Sequence, residues 1–233
     1  MSPKVPQRRV DWRSSVRIIP SLYPRRNLFE RVAPREAEGS LKRVDDLTNS
    51  RRRELRGELR LVAPYRPVTG PGSDFIMGPF CQPHPNGNRF CDGSFGAFYA
   101  SRALDTAIHE TVFHTALFLR ASKFPATWRG MLVLKANVSG RFDDVRKAPR
   151  PLDTALHHPA DYARSQRYGR ERRDALSAGI VYRSVRQHDG ECIAVFDPQR
   201  ISNCRQDRFL VYVWDGERVS AVHRVTEHPY KAL

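Results

Sequence analysis

The tightest constraint on the fold is a succession of short apolar runs joined by turn-forming residues instead of long amphipathic segments. Residues 131–138 (MLVLKANV), 180–186 (IVYRSVR), 192–196 (CIAVF) and 209–214 (FLVYVW) are rich in β-branched and aromatic side chains, and each is short for a helix. Asp189-Gly190 and Asp215-Gly216 tolerate positive φ, so the second run hairpins into the third and the last folds back on residues 218–225. Strands joined in this way run antiparallel. The class expected is α+β: a twisted, largely antiparallel sheet with flanking helices. No G-x-G-x-x-G follows a first strand and no G-x-x-x-x-G-K-[ST] occurs, which removes Rossmann and P-loop architectures.

The chain places chemistry at fixed spacing between Gly87 and Glu110, GNRFCDGSFGAFYASRALDTAIHE. Residues 95–100 (FGAFYA) predict a strand with Tyr99 near its end, and Ser101 is the expected cap of the next helix. In that helix Leu104, Ile108, Val112 and Leu119 form the apolar stripe. Glu110 lies off the stripe, on the side of Ala107 one turn back and His114 one turn on, where the small alanine leaves room beside a carboxylate.

The other segments read more plainly. Residues 59–63 (LRLVA) predict a strand, residues 64–74 a loop because three Pro and two Gly interrupt them, and 75–80 (FIMGPF) a short buried piece. A polar helix is expected over residues 160–177, stopped by Gly179. Residues 1–35 read as an extension laid over a domain surface. Residues 36–60 read as two short helices capped at Thr48-Asn49-Ser50, with Arg51, Arg52 and Arg53 in a first turn that favours an anionic neighbour. The organisation expected is a basic extension over residues 1–55 and one domain over 56–233.

Composition bears mainly on partners. A net charge of +15, of which +8 falls in residues 1–60, attracts polyanions, but no nucleic-acid-binding motif accompanies it and direct nucleic-acid binding is not expected. No apolar run reaches the ~18 residues of a membrane span and the first residues lack a signal-peptide core, so a cytoplasmic protein without membrane attachment is expected. Cys81, Cys91, Cys192 and Cys204 are expected as reduced thiols in or near the core. Cys81, His84 and Cys91 lack the paired spacing of a zinc site, and no metal is expected.

Several separated pieces, in order, resemble one family: the arginine of YRPVTG, NRF, FYAS, the A-x-x-E of TAIHE, DYARSQRYG, GIVYRSVR and GECIAVFDP. From about Arg56 to Trp214 the chain resembles the RES-domain family, typically the toxin half of bacterial RES-Xre toxin-antitoxin pairs. The resemblance carries the family's arginine to Arg66, its glutamate to Glu110 and its serine to Ser184, with Arg89 and Tyr99 as further pocket residues. The family's Gly-Arg pair is here Gly87-Asn88-Arg89, with one residue inserted.

What the resemblance implies is a fold like that of ADP-ribosyltransferase toxins and an enzyme that consumes NAD as substrate. The reaction is hydrolysis, phosphorolysis or transfer of ADP-ribose to a protein acceptor; the effect is growth arrest, restrained by an Xre-family antitoxin. No further cofactor is implied. The chemistry fits these residue types. Glu110 would stabilise positive charge developing on the ribose, Arg66 and Arg89 would clamp phosphate or ribose, Tyr99 would stack on nicotinamide or the ribose face, and Ser184 would donate a hydrogen bond to either. Taken singly, each residue has an ordinary reading: a solvated helix glutamate, surface arginines, a core aromatic, a strand-end serine. His109 and His114 flank the glutamate but are assigned no acid-base role, because nicotinamide leaves without protonation. A basic nucleic-acid-binding protein and a ribonuclease toxin are the alternatives.

Overall fold

The computed structural model describes residues 5–21 and 59–226, and its frame is one seven-stranded sheet. The strands are β1 (Gln7–Pro20), β2 (Phe98–Ser101), β3 (Thr127–Asp144), β4 (Gly179–Arg183), β5 (Glu191–Val195), β6 (Ile201–Trp214) and β7 (Val219–Val225). Between them lie the helices α1 (Ser73–Cys81), α2 (Leu104–Ala121), α3 (Leu152–Leu156) and α4 (Ala163–Asp174). The strand order is β1-β2-β5-β4-β3-β6-β7, and β1 also pairs with β3, so β1, β2, β5, β4 and β3 close a ring. Every pairing is antiparallel except β3 with β4, which matches the expected class.

β3 makes this geometry possible. It is 18 residues long and bonds β1 on one edge and β6 on the other, reaching β4 only through Asp143 and Asp144 at its end. A register irregularity between Trp12 and Ser15 in β1 lets the paired strands coil together, as bulges do. Closure of the ring between β1 and β2 rests on a single pair, Val16 with Ser101.

β1 corrects one expectation. Gln7–Pro20 is a sheet strand, paired with β3 from Gln7 opposite Asp143 to Pro20 opposite Met131, and is not an extension laid over the surface. Alternation in VRIIP explains the fit: Val16 and Ile18 pack towards α2, while Ile19 joins the cluster containing Phe98, Leu132 and Leu134. The short helices expected in residues 36–60 and the Arg51–Arg53 turn lie outside the described residues, apart from the 3-10 turn Leu59–Val62.

That 3-10 turn replaces the strand expected at residues 59–63. Its carbonyls are satisfied by a side chain and not by a neighbouring strand: Arg173 donates Nη2 to the oxygens of Leu61 and Ala63. The FIMGPF piece is α1, with Ile76, Met77 and Phe80 buried; Pro79 falls in its last turn, where it leaves one i→i−4 bond unmade just before the helix ends. The helix after β2 begins at Leu104 with Ala103 at its N-cap, so Ser101 does not cap it. Ser101 is held in β2 opposite Cys192, and Arg102 N–H extends the ladder to Glu191 O at 2.9 Å. The polar helix is α4, shorter than expected at both ends, with α3 added before it.

Helix α2 carries the carboxylate of interest, and its stripe fixes its rotation. Leu104, Ile108 and Val112 pack on Val16, Ile18, Met131, Val133, Leu210 and Tyr212, while the Thr111 and Tyr212 hydroxyls meet at 2.7 Å. That docking leaves Ala107, Glu110, Thr111 and His114 facing a cavity beside the β1–β2 edge.

Candidate active site

The cavity has a volume of about 310 Å³. Its walls come from β1, the end of α1, the loop before β2, β2 itself and one side of α2. Gly96 makes part of this wall possible by close approach. A Cβ there would lie 1.9 Å from Pro79 O and 2.9 Å from Phe80 Cα, so only glycine lets the loop pass α1 at this distance.

Glu110 and Ser184 meet side chain to side chain, although 74 residues separate them. Ser184 follows β4, and its hydroxyl donates to Glu110 Oε1 at 2.6 Å. The Ser184 oxygen also accepts the backbone N–H groups of Arg186 and Gln187, each at 3.0 Å. Its proton and both lone pairs are therefore committed. Ser184 thus acts as a fixed donor to the carboxylate and is not poised for attack. Glu110 Oε2 has no protein hydrogen-bond partner among the described residues, and the residue lines the cavity.

Arg89 is a buried cation, 6% exposed, held without a carboxylate among the described residues. Its Nη1 donates to Leu156 O at 3.2 Å and His158 O at 2.8 Å, and its guanidinium carbon sits 4.6 Å from the Tyr162 ring centroid. Carbonyl and ring contacts orient the group while leaving its charge unneutralised. The residue between those carbonyls is itself anchored. His157 Nδ1 is 3.0 Å from Asp153 Oδ1, and Asp153 pairs with Arg183. Burial, with Arg183 nearby, holds the His157 pKa below its ordinary value.

Tyr99 lines the cavity with its hydroxyl tied behind it, accepting Phe90 N–H at 2.9 Å and donating to Cys91 Sγ at 3.5 Å. Burial raises its pKa well above the ordinary phenol, and Cys91 adds to the effect, so the hydroxyl stays protonated. Burial likewise pushes the Cys91 and Cys192 thiols up to about 12. All four cysteines are buried, reduced thiols, as expected.

His114 sits at the rim. Desolvation lowers its pKa and outweighs the opposing pull of the Glu110 charge, with Arg186 and Arg89 adding to the lowering. Arg186 stacks 3.3 Å above the Phe113 ring centroid and donates to Pro159 O. Among the described residues no group of His, Cys, Asp or Glu has a metal-binding arrangement.

Of the five residues singled out from sequence, Arg89, Tyr99 and Glu110 line the cavity and Ser184 reaches it through Glu110. Arg66 does not join them. It is exposed in the loop before α1, where its backbone oxygen accepts Gln199 Nε2 at 3.3 Å. Arg17 and Tyr162 are among the cavity residues that the sequence did not single out. Arg17 enters from β1, signalled only by a basic residue inside the apolar run VRIIP; Tyr162 belongs to the DYARSQRYG piece, whose order was recognised without a role.

A family model of the RES domain matches residues 63–215. An uncharacterized protein of Sinorhizobium fredii, y4oC, is 28% identical over 208 residues, covering 89% of this chain and 85% of that protein. This likeness extends beyond the span of the family match. The crystal structure of the Mycobacterium tuberculosis MbcT-MbcA toxin-antitoxin complex contains a chain similar to this one at a TM-score of 0.38 and 9% identity. The match covers 57% of this chain and 74% of that one, a likeness too slight to carry function across.

Proposed function

Because the chain belongs to the RES domain family, we propose that it is an NAD-consuming toxin that cleaves the bond between nicotinamide and ribose. The observation that carries this reading is the Glu110 carboxylate, with Oε1 held by Ser184, lining a cavity shared with Arg89, whose guanidinium is bonded by carbonyls and by no carboxylate among the described residues.

In NAD the nicotinamide is already cationic. As its bond to ribose C1′ breaks, the electron pair stays with nicotinamide, which departs neutral without a proton. Positive charge appears on the ribose, and a fixed carboxylate stabilises it more than it stabilises the ground state. An acceptor oxygen then bonds to C1′ and releases its proton. Glu110 supplies the negative charge and Ser184 keeps it aimed. Arg89 attracts the pyrophosphate, and the Tyr99 face packs on nicotinamide or ribose. Water, phosphate or a protein acceptor gives hydrolysis, phosphorolysis or ADP-ribosyl transfer, reactions that share this donor step. The protein partner in this reading is an Xre-family antitoxin, and the compartment is the cytoplasm. Among the described residues no helix is long and apolar enough to cross a membrane.

Incubating the full chain with NAD and measuring nicotinamide tests the reading. Release by the wild type and loss of at least a hundredfold in Glu110→Gln is the expected result. NAD left intact by folded wild type, or full activity in Glu110→Gln, overturns it. Products compared with and without phosphate, and with candidate acceptor proteins, identify which reaction occurs.

A further inference from the structure

The turn that follows β4 grips one face of α2 at three places. Ser184 donates to Glu110, the Thr106 hydroxyl donates to Gln187 Oε1, and the Arg186 guanidinium lies over the Phe113 ring. On α2 the partners are residues 106, 110 and 113, whose i, i+4, i+7 spacing sets them in one row along the helix. Resting on the reading of Glu110 as the carboxylate of an NAD site, we propose that Thr106 and Gln187 are positioning residues of that site: their bond holds the turn where Ser184 reaches Glu110.

Three observations converge. The first is burial. Residue 106 lies on the side of α2 away from the stripe of Leu104, Ile108 and Val112 that packs on the sheet, yet Thr106 is only 2% exposed. The turn lies close against it. A Cβ on Gly190 would stand 2.7 Å from Thr106 Cγ2 and 2.9 Å from Ser184 Cβ, so only glycine lets the turn pass the helix at this distance.

The second is the use of the hydroxyl. A threonine inside a helix can satisfy its hydroxyl on the preceding turn, as Thr111 does on Ala107 O at 2.7 Å. Thr106 donates instead to a side chain 81 residues further along the chain. That choice ties two elements together.

The third is the stiffness of the turn. Ser184 N–H donates to Gly190 O at 2.7 Å, Gly190 N–H to Gln187 O at 3.2 Å, and the Ser184 hydroxyl oxygen accepts Arg186 N–H and Gln187 N–H. Residues 184–190 are thus closed on themselves, and a tether at Gln187 is felt at Ser184. Neither Thr106 nor Gln187 is among the described residues that line the cavity, so both act through the serine.

Thr106→Val, Thr106→Ser and Gln187→Met, made in the full chain, test the assignment through kcat and KM for nicotinamide release, with melting curves as the control for folding. Thr106→Val and Gln187→Met should each lower kcat about three- to tenfold with KM within about twofold of wild type, the loss expected of one neutral hydrogen bond that acts on the chemical step. Thr106→Ser keeps the donor and should return kcat to within about twofold of wild type. Added to Ser184→Ala, Thr106→Val should change kcat by less than about twofold, because the contact it steers is already gone. An unchanged kcat in either folded single variant overturns the assignment, as does a Thr106→Val loss that persists in full in the Ser184→Ala background, which would mark a general effect on the fold. If Thr106→Val does not fold, Gln187→Met, in a half-buried position of the turn, decides. Wild type that releases no nicotinamide removes the NAD reading and the positioning role together, whereas wild type that turns over NAD beside variants that match it removes only the positioning role.

Discussion

Ser184→Ala separates a positioning serine from an attacking one. The substitution removes one oxygen and three hydrogen bonds: the donation to Glu110 Oε1 at 2.6 Å and the acceptances from Arg186 N–H and Gln187 N–H at 3.0 Å. The two backbone bonds are neutral and partly solvated once the oxygen is gone, so their loss costs about 1–2 kcal/mol of stability in all. That corresponds to a fall of roughly 2–8 °C in melting temperature for a chain of this size. The bond to Glu110 is short and charge-assisted, of a kind worth about 1.5–3 kcal/mol. If it acts fully in the transition state, turnover falls by roughly ten- to 150-fold. The assay is the initial rate of nicotinamide release over a range of NAD concentrations, with melting curves as the control for folding. The expected outcome is a lowered kcat that still exceeds that of Glu110→Gln. A kcat within twofold of wild type in a folded variant refutes the positioning role. Loss as complete as in Glu110→Gln, together with a ribosyl adduct trapped on Ser184 in the wild type, refutes the inference that its lone pairs are unavailable.

Three other outcomes follow from the packing. Gly96→Ala would drive a methyl group into Pro79 O, at 1.9 Å, and should cost about 1–3 kcal/mol with a parallel loss of activity, since both residues line the cavity; an unchanged melting temperature would show that the loop moves freely. Burial lowers the His157 pKa in the folded state, so below about pH 6.5 the unfolded chain takes up a proton that the folded chain refuses. This group contributes its full stability above that pH and loses it as pH falls, by up to about 1.4 kcal/mol per pH unit. A His157→Gln variant whose denaturation midpoint follows the same acid limb as wild type would remove His157 as the cause. With Cys91 and Cys192 thiols pushed up to about 12 by burial, native protein at pH 8 should resist alkylation and become reactive only in denaturant; rapid labelling of either in the native state would contradict their closed environment.

Local pattern determined the parts of this protein whose neighbours in space are neighbours in sequence. The hairpin of β4 and β5 follows from IVYR, Asp189-Gly190 and CIAV, and the rotation of α2 follows from Leu104, Ile108 and Val112. That rotation is what turns Glu110 to the cavity, so the side on which the glutamate lies was readable from spacing, while its selection came from the resemblance. The serine was assigned by resemblance, and only the fold shows how its hydroxyl reaches Glu110 across 74 positions of chain.

Tertiary structure alone decided the matters that depend on long-range pairing. Residues 59–63 have strand-forming side chains, yet their carbonyls went to Arg173, more than a hundred residues away, and no strand formed. Residues 7–20 look like a basic extension because Arg8, Arg9, Arg13 and Arg17 interrupt the apolar pattern; the backbone ladder to β3 recruits them regardless, since ladder bonds are made by main-chain groups whatever the side chains. The position of Arg66 outside the cavity has the same origin. Motif order fixes which arginine resembles the family's, but which guanidinium reaches a cavity is set by where its strand or loop lands.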